Sequence, residues 1–100
     1  MTYDEFNELV KANEVTVCKL GAEWCGPCKV LDPKIDELAK ELTDVNFIKI
    51  DVEDEPEIAT ALRVRNVPVM LYYKNGELKD KTVGLVSDAT IKEKIEALKA

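Results

Sequence analysis

The run from Val67 to Tyr73 is almost entirely apolar and is bounded by turn-forming residues. Seven such residues are too few for a buried helix and read as the central strand of a sheet. Directly after it comes Asn75-Gly76, the strongest two-residue hairpin signal, because both turn positions need a positive φ. Glu77 to Val83 then returns as an antiparallel partner, with Gly84 at its end. One hairpin cannot cover such a strand, so the rest of the chain must supply the remaining layers.

The other segments read accordingly. Thr2-Tyr3-Asp4-Glu5 has the pattern of a capping box, and Phe6, Leu9 and Val10 follow at helical spacing, predicting a helix to about Ala12. Glu14 to Leu20 holds Val15, Thr16, Val17 and Cys18, a β-prone run ended by Gly21. After Gly26-Pro27, Leu31, Ile35, Leu38 and Leu42 step along one face of a long helix. Pro33 lies inside it and is expected to kink it. Val45 to Asp51 reads as a strand, and Pro56 opens a short helix carrying Ile58, Ala59 and Leu62. Ser87 or Asp88 caps a last helix whose buried face is Ile91, Ile95 and Leu98. The order α-β-α-β-α-β-β-α predicts a parallel pair with a right-handed crossover followed by an antiparallel edge. With 100 residues, no linker and no repeats, it forms one domain over residues 1–100.

The chemistry is confined to Trp24-Cys25-Gly26-Pro27-Cys28-Lys29, where the first strand hands over to the long helix. A thiol must ionise to attack a disulfide, and a helix N-terminus favours the thiolate through its free N–H groups and dipole. The two-residue spacer lets the second sulfur reach the first from one turn away, so Cys28 can attack a mixed disulfide on Cys25 and release a reduced substrate. Pro27, in the first turn, costs no needed donor. Cys25, at the tip, is expected to be the exposed member. The chain has three cysteines and no histidine. That removes His-based acid–base catalysis, and a zinc site lacks its four ligands. Cys18, among valines in mid-strand, reads as a small buried hydrophobe. A net charge of −6 without a Lys/Arg cluster argues against nucleic acid and anionic membranes as partners. The polar N-terminus is unlike a signal peptide, no run approaches the roughly 18 apolar residues of a membrane span, and a cytoplasmic location is expected.

Trp24 to Lys29 resembles the active-site motif of thioredoxins. The resemblance extends in order through Pro33, Lys49, Val67-Pro68, Lys74-Asn75-Gly76 and Val83-Gly84, nearly the whole chain. It implies a thioredoxin fold and reversible dithiol exchange with protein disulfides. It also implies a cis Pro68 lying against the cysteine pair. Trp24, Gly26, Pro27, Val67, Pro68, Val83 and Gly84 would line a groove for an extended substrate peptide. No cofactor would be bound. Electrons would come from a thioredoxin reductase drawing on NADPH or ferredoxin, and the protein would act as a monomer. Gly26-Pro27 is the spacer that the resemblance links to low potential.

There are departures. Most thioredoxins begin with an additional strand, so four strands are expected here where five are usual. Lys19 stands where the family places a buried aspartate credited with activating the resolving thiol. Lys49, which matches that aspartate's partner, would then face a like charge, with Asp51 available as a substitute partner. Lys19 and Lys49 are therefore expected to tune the thiol pair or its proton transfer, Lys19 either as a neutral amine or by snorkelling outward. Gly21 replaces an aromatic residue common in bacterial relatives, which predicts looser packing, and Val69 replaces a frequent threonine. Two other readings compete: a glutaredoxin-type protein recharged by glutathione, and a non-catalytic subunit that uses the groove around Trp24 and Pro68.

Overall fold

A computed structural model describes all 100 residues. Eight elements follow the expected order: α1 (Tyr3–Lys11), β1 (Val15–Gly21), α2 (Gly26–Glu41), β2 (Asn46–Asp51), α3 (Pro56–Ala61), β3 (Val69–Lys74), β4 (Glu77–Val83) and α4 (Asp88–Lys99). The four strands form one mixed sheet in the order β2-β1-β3-β4. β1 runs parallel to β2 and antiparallel to β3, and β3 pairs antiparallel with β4.

Local chemistry explains the ends of these elements. The Thr2 hydroxyl accepts from Glu5 N–H at 3.1 Å while the Glu5 carboxylate accepts from Thr2 N–H at 2.8 Å, closing the capping box on α1. Asn75 and Gly76 take φ of 51° and 85°, as the tight turn between β3 and β4 demands. Ser87 caps α4 by accepting from Thr90 N–H. β3 starts at Val69, two residues later than expected, since Pro68 has no N–H to give to the ladder. α2 continues through Pro33 as one unbroken helix.

Period-two alternation sorts the strands onto two cores. Val15 and Val17 of β1 and Met70 and Tyr72 of β3 face α2 and α4, where they meet Leu31, Ile35, Ile91 and Ile95. Cys18, Leu20, Leu71 and Tyr73 face α1 and α3, meeting Phe6, Val10 and Ile58. All of β1 is buried. Burial pushes the Cys18 thiol up to about 12, so it stays protonated and inert at ordinary pH. The outer strands β2 and β4 carry Lys49, Lys79 and Lys81, which discourage pairing with another chain's edge.

The same alternation settles what lies beneath α2 near its start. Lys19 and Gly21 continue the row of Val15 and Val17, so both point toward α2. On β2, Phe47 joins that core, and Lys49 and Asp51 lie on its row.

Candidate active site

Cys25 is the N-cap of α2, with extended backbone (φ −90°, ψ 109°), and its Sγ accepts from Cys28 N–H at 3.2 Å. The sulfur therefore sits where the helix offers unpaired donors and the positive end of its dipole, which favours a thiolate. Cys28 lies one turn on, and the two form a disulfide across a Cα–Cα distance of 5.3 Å. Gly26 and Pro27 occupy the exposed first turn between them. No cluster of three or more His, Cys, Asp or Glu side chains is arranged around a metal position.

The expectation of an exposed Cys25 is corrected. Cys25 is 4% exposed and Cys28 1%. Both pack with Ala22, against Val52 and Val67. In the oxidised state each sulfur directs one face at the other, and apolar neighbours cover most of the rest. The small residual surface of Cys25 is what an incoming thiolate must reach, and it is larger than that of Cys28.

The Val67–Pro68 peptide is cis. Val67 packs on the cysteine pair, and Val67 makes no backbone hydrogen bond within the chain. The Pro68 carbonyl accepts from Gly84 N–H at 2.8 Å, which ties the end of β4 to this loop. Gly84 has φ 83°, a conformation that favours glycine. Trp24 is 71% exposed, and its indole N–H donates to Glu53. Val83 and Leu85 are also exposed. Val69, by contrast, is buried with the core under α1 and α3, away from solvent.

Lys19 has a partner that the sequence did not suggest. It is buried, and its ammonium donates to Asp32 Oδ1 at 2.6 Å. Asp51, expected as a substitute partner for Lys49, pairs with neither lysine. The Asp51 carboxylate instead accepts from the N–H groups of Glu53 and Asp54, forming a turn after β2. Lys49 sits beside Lys19 in register on the neighbouring strand and pairs with Asp36 at 2.7 Å. The like charges tolerate each other because α2 presents two carboxylates one turn apart, one above each lysine. The Lys49 ammonium holds the Asp36 carboxyl below its ordinary value. Gly21 does not loosen the site either, because Lys19 Nζ and Cys28 Sγ occupy the space a side chain would take.

Sequence reasoning missed Asp32, Asp36 and Glu53. A signal for the first two was present: Cys28, Asp32 and Asp36 recur every four residues, which puts them on one face of a helix.

Comparison with known proteins agrees with this geometry. Residues 1–97 match the Thioredoxin family model. The chain is 42% identical over 93 residues to the chloroplastic thioredoxin M-type of Pisum sativum, covering 91% of this chain but only 54% of that protein. A thioredoxin of Mycoplasmoides gallisepticum is 34% identical over 89 residues, 89% of each chain. Among solved structures, a mutant thioredoxin from Halobacterium salinarum superposes with a TM-score of 0.91 at 34% identity, covering 100% of this chain and 88% of that one. The oxidised mitochondrial thioredoxin 3 of Saccharomyces cerevisiae gives 0.88 at 33%, covering 96% and 90%.

Proposed function

Because the chain belongs to the thioredoxin family, we propose that it reduces disulfides in other proteins by dithiol exchange through Cys25 and Cys28. The observation that carries this reading is Cys25 Sγ at the N-cap of α2, bonded to the sulfur one turn further on.

In the reduced protein the Cys25 thiolate attacks one sulfur of a substrate disulfide. A mixed disulfide forms, and the substrate's other sulfur leaves as a thiolate. Cys28, having lost its proton, then attacks Cys25 Sγ. The Cys25–Cys28 bond forms, the mixed disulfide breaks, and the second substrate thiolate is released and protonated by solvent. Two electrons have passed from the pair to the substrate. Trp24, Gly26, Pro27, Val67, Pro68, Val83 and Gly84 form the docking groove. The free backbone of Val67 pairs with an extended peptide as an added strand would, and the exposed Trp24 and Val83 supply apolar contact.

The pair is recharged by a thioredoxin reductase fed from NADPH or ferredoxin, and the protein works as a monomer in electron transport and cell redox homeostasis. A cytoplasmic location belongs to this reading, since the cycle needs a compartment that returns the pair to the dithiol. No helix is long and apolar enough to cross a membrane. An NADPH-linked thioredoxin reductase, mixed with the oxidised protein and insulin, is expected to consume NADPH only when the protein is present. Recharging by glutathione alone, with no turnover by NADPH- or ferredoxin-linked thioredoxin reductases, would replace this reading with a glutaredoxin-type one.

A further inference from the structure

The row Val15, Val17, Lys19, Gly21 runs beneath α2 and ends under its first turns. At that end Lys19 is 6% exposed. A methyl group added to Gly21 would stand 2.9 Å from Lys19 Nζ and 3.0 Å from Cys28 Sγ. The ammonium and the resolving sulfur thus border one small space with no side chain between them, no more than about 6 Å apart. Gly21 makes that approach possible. An ammonium carries three donors and no acceptor, so it cannot take the proton of Cys28. What it offers is positive charge where the sulfur's negative charge forms.

We propose that Lys19 is a counter-charge for the Cys28 thiolate, with Asp32 as the positioning residue that holds the ammonium beneath α2. This rests on Cys28 being the resolving thiol. It replaces a side-chain base with a fixed charge. The Cys28 proton leaves to solvent through the cavity of about 280 Å³ that Lys19, Cys28 and Asp32 border. Cys28 then attacks as the thiolate.

The other charged or titratable groups around this point are Cys25 at the N-cap of α2, Lys29 on α2, Glu23 in the preceding loop, and Lys49 and Asp51 on β2. Lys49 is engaged by Asp36, and Asp51 by two backbone N–H groups. Glu23 and Lys29 are exposed, where water screens them. Lys19 is the one cation in this set that is buried. At about 6 Å and an effective dielectric of about 20, one unit charge moves a titration by at most about two pH units, and the Asp32 carboxylate in contact with the ammonium offsets part of that.

The test uses the Cys25→Ser background, in which Cys28 cannot close a disulfide with its neighbour and Cys18, at about 12, is silent over the range scanned. The ultraviolet absorbance of the thiolate is followed against pH. Lys19→Gln is expected to raise the midpoint by about one pH unit, leaving about tenfold less thiolate below it. Lys19→Arg is expected to restore the midpoint, because it keeps the charge. Asp32→Asn is expected to lower it, since the amide oxygen can still accept from the Lys19 ammonium and hold it in place while the opposing negative charge is gone. A merely structural disturbance would move Lys19→Gln and Asp32→Asn in the same direction. An unchanged midpoint in Lys19→Gln, or a rise in Asp32→Asn, overturns the proposal. If Lys19→Gln fails to fold, Lys19→Met, which removes the charge and refills the same buried space, is expected to show the same rise, and an unchanged midpoint in it overturns the proposal. No substrate or reductase takes part, so this failure is separate from failure of the disulfide-reductase reading, which the NADPH-coupled assay reports.

Discussion

A Cys28→Ser variant is expected to complete the first attack and then stop, accumulating as a disulfide-linked adduct between Cys25 and its substrate. Cys25 keeps everything that activates it, since its N-cap position and the N–H of residue 28 are backbone features. What is lost is the second sulfur, which the wild-type helix holds at bonding distance from the first. An intramolecular nucleophile placed this way acts at an effective concentration far above any thiol in solution, so steady-state turnover is expected to fall on the order of a thousandfold or more. Non-reducing electrophoresis checks the adduct and a turnover assay the rate. Release of free substrate at the wild-type rate would show that Cys28 does not resolve the intermediate.

The second large effect concerns stability. Phe6 is fully buried between α1 and the sheet, with its ring edge-to-face with Tyr73 at 6.1 Å and stacked on Tyr3 at 6.4 Å. It and Val10 are the buried residues of α1. Truncation to alanine removes most of that anchor and leaves a cavity under the helix. Phe6→Ala is expected to cost about 3–5 kcal/mol, a large share of the roughly 5–15 kcal/mol that holds a domain of this size together. Phe6→Leu, which refills most of the volume, is expected to cost much less. Urea unfolding midpoints of both variants give the comparison. A Phe6→Ala cost below about 1 kcal/mol would mean that α1 is not docked through this ring. The cysteine pair, at the far end of β1 from this contact in the chain, should keep its chemistry wherever the variant remains folded.

Most of the fold was legible because each element carried its own local signal. The capping box at Thr2, the turn at Asn75-Gly76, and the spacing of Leu31, Ile35 and Leu38 each name a structure without reference to the rest of the chain. The cis Pro68 and the placing of Cys25 on the tip of a helix came with the family resemblance and the motif. What escaped depends on register and on side-chain reach. Lys19 and Lys49 could be assigned to one sheet face, but not to the carboxylates above them, because that requires knowing where α2 crosses β1 and β2. Asp51 was the nearest acid in sequence and on the right strand. The turn after β2 claims it, whereas Asp32 and Asp36, remote in sequence, hang directly over the lysines. Gly21 read as missing volume because the side chain that fills the space belongs to a residue two positions back. Cys25 read as exposed because helix tips usually are, and the packing of Val52 and Val67 around it is a tertiary fact.

Reduction of insulin by dithiothreitol, followed by turbidity, tests the account most directly when the wild-type protein is set beside its Cys25→Ser variant. Prompt precipitation of the insulin chains is expected with the wild type, and no acceleration over dithiothreitol alone with the variant. Equal acceleration by both, or none by either, would contradict it.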